Sequence, residues 1–369
     1  MPRGPDHSVA RRCSQREAVV PAIFSPAIRR AICGLALLVA PAHADDGAAA
    51  LAAGGLVFVK APGIVMQRED LTLSAAQIRV RFEMRNDRAE AATLLVAFPL
   101  PDVPLETPGG WETSSGANVA LPGGVTDPRF IDFTVRVNGQ PVQPQVEVRA
   151  MMPDGRDLSA LLRDAGGTAL LLQPRWFDPG DLTPAVRQRL LDAGAIKPAD
   201  PADSASPDVA QWATRIKFHW SQVFAPGVTV IEHTYRPMLG FNVVELRDGH
   251  WQGTGVSDLD HAFCIDPPTD RALRALATPK HELHGYEVAY ILSTAATWDG
   301  PIGTFHLTLE GGPISTGGVF AGGDVALITL CTGLKLHNTG KLRFEATEHD
   351  YHPPADLRAL FVVPKTVTR

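Results

Sequence analysis

Long apolar runs, cysteine and net positive charge are all scarce in this chain, and each scarcity removes a class of function. The apolar run 31–40 is about ten residues long, whereas a helix crossing a bilayer needs about 20. No transmembrane helix is therefore expected. Only 4 cysteines occur, and none forms a Cys-x-x-Cys pair, which argues against a thiol–disulfide enzyme. The formal net charge is −6 with no basic stripe, so nucleic acid and anionic lipid are poor partners. Gly-x-Ser-x-Gly, a Gly-Lys-Ser/Thr phosphate loop and His-Glu-x-x-His are all missing, as is any fixed-period repeat.

What is present begins at the amino end. Arg29 and Arg30 precede the apolar run, Pro41 breaks it, and Ala42-His43-Ala44 follows. These are the parts of a secretory signal peptide, 1–44, and they imply an exported protein. The region ahead of Arg29 is long for a signal, which leaves a downstream start codon open. Cys33 lies near the start of the apolar run, not at its end, and so is not a lipobox cysteine. Cleavage after Ala44 removes six basic and two acidic side chains, leaving 28 and 38, a formal net of −10. It also removes Cys13 and Cys33. In an oxidising compartment the remaining Cys264 and Cys331 favour a structural disulfide, with two buried thiols as the alternative. A bridge over a loop of that length is worth about 4 kcal/mol on the chain-entropy account.

The rest reads mainly as strands. Ile78, Val80, Phe82 and Met84 alternate with Arg79, Arg81, Glu83 and Arg85, the period of a half-buried strand. Thr93–Phe98 is a nearly continuous apolar run, as in a strand covered on both faces. Phe133, Val135 and Val137 run into Asn138-Gly139, the strongest short hairpin signal, and Val142, Val146 and Val148 run out. Pro144 in that arm predicts an edge strand. A helix at Leu158–Leu162 ends at Gly166-Gly167, and another starts at Thr183 with Pro184 in its first position and stops at Gly194. Residues 197–208 read as a flexible linker. A second hairpin is expected through Pro226-Gly227, and a short helix over Asp270–Ala277. The expectation is a mainly β protein of antiparallel, sandwich-like regions with a short helical insertion. Its organisation is a domain at 45–245 with the insertion at about 155–200, then a β-rich region at 246–369 with one short helix. A transmembrane β-barrel is disfavoured by the interrupting helices and the lack of aromatic girdles.

Several segments together carry a family resemblance: Leu51–Phe58 (LAAGGLVF), Met66–Leu71 (MQREDL), Ile78–Asn86 (IRVRFEMRN), Val96–Asp102 (VAFPLPD) and Val137-Asn138-Gly139. Phe224–Tyr235 (FAPGVTVIEHTY), Cys264-Ile265-Asp266, Trp298–Gly303 (WDGPIG) and Leu330-Cys331 continue it. The mature chain resembles the DUF4424 family of exported bacterial proteins over nearly its whole length. The resemblance implies a periplasmic location and supports pairing Cys264 with Cys331. It implies no activity and supplies no catalytic residues. At the level of fold only, the Phe-Pro-Leu-Pro strand end and the later Phe-x-Pro-Gly turn are similar to VIT-type sandwich domains.

Candidate chemistry is sparse. His349, Asp350 and His352 are possible zinc ligands, but neighbours on a strand point to opposite faces. His281 and His284 beside Glu282 sit in an expected loop, without the spacing of two ligands on one helical face. Asp258-Leu259-Asp260-His261 lacks a calcium loop's alternating oxygens. The glycines from Gly311 to Gly323 suit a hairpin loop better than a phosphate cradle. Trp111 and Glu112, in a long Gly/Pro/Ser segment, are candidates for a ligand or partner loop. No catalytic or cofactor-binding residue and no cofactor is assigned. The reading is a non-catalytic envelope module that binds an envelope protein or ligand through loops. A secreted hydrolase with a site assembled in three dimensions is the alternative, and a structural component pairing through a sheet edge is a third class.

Overall fold

The computed structural model describes residues 47–52, 55–100, 126–172, 176–203, 205–253, 256, 258–315 and 322–367. The described residues form one compact unit, and the architecture is mainly β, built from antiparallel sheets around an eight-stranded one. In spatial order the wide sheet runs His337–Gly340, Arg343–Tyr351, Ile302–Glu310, Ile64–Leu73, Ile78–Asn86, Gly227–Tyr235, Thr134–Val137 and Gln140–Val142. Strands from both sides of residue 245 thus share it. The join is a parallel pairing of Ile302–Glu310 with Ile64–Leu73, from Thr304 opposite Arg68 to Leu309 opposite Leu73.

The strict alternation at 78–86 explains why this sheet needs covering. Ile78, Val80, Phe82 and Met84 are buried, and the arginines and Glu83 between them face water. Two five-stranded sheets roof the apolar face. The first roof contains Gly55–Phe58, Gly47–Ala52, Ala92–Pro99, Ala213–Phe224 and Gln145–Met151. Its Phe98, Phe218 and Trp220 meet Phe133, His233 and Tyr235 of the wide-sheet side through ring contacts of 4.5–5.6 Å. The second roof contains His250–Gln252, Gly240–Arg247, His281–Tyr290, Leu357–Thr366 and Leu327–Cys331. Its far face is covered by the helices Leu259–Ala262 and Pro267–Leu276, through Leu259, Phe263 and Leu273 packed with Leu283, Leu360 and Val362. The sequence pattern announces the second of these helices but not the first, which is a single turn capped by Asp258.

Three local expectations change. Pro226-Gly227 is not a hairpin turn: Ala213–Phe224 pairs within the first roof, and Gly227–Tyr235 pairs within the wide sheet. The proline and glycine make a sheet-to-sheet corner, and buried Asn86 fixes it. Its Nδ2 donates to the carbonyls of Phe224 (2.8 Å) and Glu90 (2.9 Å), and its Oδ1 accepts from the Arg88 N–H at 2.9 Å. One side chain thereby ties the outgoing corner at 87–91 to the returning one. The strand after Asn138-Gly139 also divides, Gln140–Val142 closing the wide sheet and Gln145–Met151 closing the first roof. Pro144 lies at the crossing, so both pieces are edges. Finally, the expected linker at 197–208 has strands at its ends, Ile196–Pro198 and Asp208–Ala210, paired antiparallel. Buried Asp208 receives both Arg187 nitrogens at 2.8 Å, which pins the helix Pro184–Asp192 to that pair. Thr183 and Pro184 start this helix as expected. The helix Ser159–Leu171 is interrupted at Gly166 and Gly167 by non-helical backbone, where its end was expected.

An imidazole sits at the centre of the aromatic interface. His233 is 1% exposed, with Phe82, Phe98, Phe133 and Trp220 rings at 5.0–5.7 Å. Burial disfavours the cation and pushes its pKa down to about 3. Below an unfolded pKa near 6.5 the unfolded chain takes a proton that the folded chain refuses, so this group withdraws stability as pH falls from 6.5 toward 3. The slope is at most about 1.4 kcal/mol per pH unit. A His233→Leu variant should lose this dependence between pH 6.5 and 4 in urea unfolding; a variant curve parallel to wild type would remove the assignment.

Candidate functional site

At one end of the parallel pair, the strand Ile64–Leu73 carries an irregularity. Its register against Ile78–Asn86 shifts between Met66 and Arg68. The extra residue puts Gln67 and Arg68 in succession on the solvent side, with Met66 and Glu69 inward. Bulges re-aim side chains in this way and are common beside functional sites. Opposite the bulge, Gly303 lies so close that an added Cβ would stand 2.7 Å from the Gln67 carbonyl oxygen. Only glycine allows that approach.

The segment leading to Gly303 is clamped to the same end. Trp298 is buried, edge-on to Phe224 at 5.9 Å. The Asp299 N–H donates to the Ile64 carbonyl (2.9 Å), and the Gly63 N–H donates to Asp299 Oδ2 at 2.8 Å. Gly300 has φ 78°, completing the Asp-Gly-Pro turn. The result is a solvent-open groove of about 390 Å³ lined by Val65, Gln67, Arg85, Asp299, Gly300, Pro301, Gly303 and Asp350. Arg85 is held by Asp87 through Nε–Oδ1 (2.6 Å) and Nη2–Oδ2 (3.1 Å), which keeps the Asp87 carboxyl below its usual range. With that guanidinium balanced by Asp87, Asp299 and Asp350 leave the groove net acidic, and Val65 and Pro301 give it an apolar side.

Inward from the bulge lies a group that no sequence motif marks. Glu69 is fully buried, and Tyr290 of the second roof donates its hydroxyl to Oε1 at 3.1 Å. Tyr290 follows from the alternation of Tyr286, Val288 and Tyr290. Glu69 does not, because a bulge resets the period of two and no residue pattern signals it. A second groove of about 360 Å³ lies at the sheet's far edge, with His306, His337, Glu345 and Glu348 in its lining. There His306 Nδ1 contacts Thr347 Oγ1 at 2.9 Å, and Glu345 receives Arg343 at 2.9 Å.

The expected site residues separate. Cys264 and Cys331 are joined in a disulfide, which clips the end of the single-turn helix to an edge of the second roof. His349 and Asp350 both lie in Arg343–Tyr351, yet His349 meets Thr304 across the sheet (Nδ1–Oγ1 3.3 Å) while Asp350 lines the groove. His352 follows the strand. Among the described residues no group of three His, Cys, Asp or Glu side chains converges as metal ligands. His281 and His284 are in a strand, not a loop; His284 Nε2 contacts Glu282 Oε1 at 2.5 Å and stands edge-on to Phe241. Asp260 is engaged by the Trp251 N–H and by His250 Nδ1 at 3.1 Å. The Gly311–Gly323 segment pairs as a hairpin at Pro313–Ile314 and Gly323–Asp324. Trp111 and Glu112 lie outside the described residues.

Asp350 has φ 49°, a left-handed conformation that costs a β-branched residue about 1–2 kcal/mol and glycine nothing. Asp350→Val should therefore lower stability by about that amount while Asp350→Gly leaves it within about 0.5 kcal/mol. Equal stabilities in chemical denaturation would contradict the conformation.

No curated protein matches the chain significantly in sequence. Its matches among solved structures include a Legionella pneumophila protein described as a "putative nutrient binding protein". The two are 17% identical, with 82% of this chain and 68% of that one covered, at a TM-score of 0.37. Residues 44–360 match the family model "Domain of unknown function (DUF4424)". A match over that much of its length makes the chain a member of the DUF4424 family.

Proposed function

We propose that this protein is a non-catalytic binding module of the cell envelope, exported by residues 1–44 to the periplasm, with the groove at the bulged strand as its ligand surface. The observation that carries the reading is convergence. Six of the eight lining residues (Gln67, Arg85, Asp299, Gly300, Pro301 and Gly303) come from the three segments Met66–Leu71, Ile78–Asn86 and Trp298–Gly303. These lie far apart in the chain and are among those that carry the family resemblance. The lining favours a small polar ligand bearing a cationic group, received by Asp299 and Asp350 and oriented by the Gln67 amide.

Two features weigh against the other classes. Hydroxyl–imidazole contacts among the described residues are Thr278–His281, Thr304–His349 and the His306 contacts with Thr308 and Thr347. They lie apart, and none shows a carboxylate on the second ring nitrogen, which a hydrolytic triad requires. Three sheet edges, Gln140–Val142, Gln145–Met151 and His250–Gln252, are also blunted against pairing with another chain. Pro141 lies in Gln140–Val142, the helix Ser159–Leu171 packs on Gln145–Met151, and the helix Leu259–Ala262 packs on His250–Gln252.

Export predicts that the protein recovered from periplasm begins at Asp45 on amino-terminal sequencing. Thermal-shift titration of that material against amines, amino acids, sugars and dicarboxylates should give a saturable rise in Tm with a cationic compound, lost in Asp350→Asn and in Gln67→Ala. A saturable rise that both variants retain would move the site elsewhere, and turnover of a compound would replace binding with catalysis.

A further inference from the structure

Glu69 is 0% exposed and stands in register between Phe82 of Ile78–Asn86 and Phe305 of Ile302–Glu310. Oε1 accepts the Tyr290 hydroxyl, a bond that crosses from the wide sheet to the second roof. Oε2 is buried with no hydrogen-bond partner among the described residues. The groups around it are uncharged or acidic. Tyr290 faces it from His281–Tyr290, and Tyr351 of Arg343–Tyr351 lies within electrostatic reach of both Glu69 and Glu348. Phe82 and Phe305 are apolar. On its own strand, Asp70 is turned to the outer face, where Arg68 (2.7 Å) and Arg81 (3.7 Å) pair with it. Those two cations therefore serve the water-facing side and not Glu69. A carboxylate in such surroundings would have one phenol donor and no counter-charge.

We propose that Glu69 is carried as a neutral acid and that its bond to Tyr290 is a proton-operated latch, whose deprotonation releases the second roof from the wide sheet. Burial is the main reason the carboxyl holds its proton. It raises the pKa to about 8; the Tyr290 hydrogen bond opposes the rise and the charge of Asp70 adds to it. In any opened state Glu69 meets water and returns toward its ordinary pKa near 4.5. The opened form then binds fewer protons, so opening is favoured up to tenfold per pH unit from about 4.5 to about 8, and the gain levels off above that.

Hydrogen exchange read by mass spectrometry on the mature protein between pH 6 and 8, corrected for intrinsic exchange, tests the latch. Peptides covering Ile64–Leu73 and His281–Tyr290 should lose up to tenfold protection per pH unit, while those covering Ala213–Phe224 in the first roof keep theirs. Glu69→Gln, which retains an acceptor for Tyr290, should abolish that pH slope. Tyr290→Phe should lower protection at every pH and keep a slope. Wild-type and Glu69→Gln slopes that coincide would overturn the latch, as would a simultaneous loss of protection in all three peptides. Carbon-detected titration of Glu-labelled wild-type protein tests the same proton without a variant: a carboxyl titrating near pH 8 is expected, and full ionisation of every glutamate by pH 6 would refute it.

Discussion

The parallel ladder between Ile64–Leu73 and Ile302–Glu310 is the contact on which the rest of the architecture depends. Without it, the strands Ile64–Leu73, Ile78–Asn86, Gly227–Tyr235 and Thr134–Val137 would form one sheet, and Ile302–Glu310 with Arg343–Tyr351 another. Each would have an unpaired edge beside an apolar face. Joining them removes both edges and makes a continuous dry surface that two roof sheets cover. The cost is loop closure across more than 200 residues, which grows only logarithmically in free energy but slows folding. Close approach also demands Gly303, since any side chain there would strike the Gln67 carbonyl.

The wide sheet divides its chemistry sharply between its faces. Outward, Arg68, Asp70, Arg81 and Glu83 pair among themselves, as do Arg79, Glu310, Arg343 and Glu345. These half-exposed networks add little stability each, but they keep the sheet's outer face polar and hydrated. Inward, two titratable groups occupy positions that an apolar residue could fill: His233 under the first roof and Glu69 under the second. Burial drives both toward neutrality, one by lowering and one by raising its pKa. Acid therefore penalises the first roof and alkali the second. Their windows meet at mildly acidic pH, between about 4.5 and 6.5, where the combined penalty is smallest.

Much of this was legible in the residues. Alternation at 78–86, the Asn138-Gly139 turn and the Thr183-Pro184 helix start are local signals, and each found its place. Pairing partners were not legible. Pro226-Gly227 looks the same whether the chain folds back on its own sheet or crosses to another. What decides is the burial of Asn86 at a distant corner. The groove is opaque for the same reason. Gln67, Arg85, Asp299 and Asp350 have no common spacing, and only the parallel pairing brings them together. The His349, Asp350 and His352 cluster shows the converse. They are adjacent in sequence, but His349 is engaged by Thr304 across the sheet while Asp350, in a left-handed conformation that breaks the strand's alternation, lines the groove.

The bulge links the two unusual features of this end of the molecule. An unbroken strand with Met66 inward would turn Glu69 toward water and Arg68 toward the core. One extra residue instead keeps Arg68 beside Gln67 on the solvent side and delivers Glu69 beneath Tyr290. On the other side of the parallel pair, Asp350 lines the groove while its neighbour Tyr351 stacks at 5.0 Å on Phe305, the residue in register with Glu69. Surface and interior are thus connected through two short backbone links, Gln67 to Glu69 and Asp350 to Tyr351. A change that straightened the bulge with Met66 held inward would leave Gln67 at the groove but turn Glu69 out from beneath Tyr290, so the buried acid depends on the bulge.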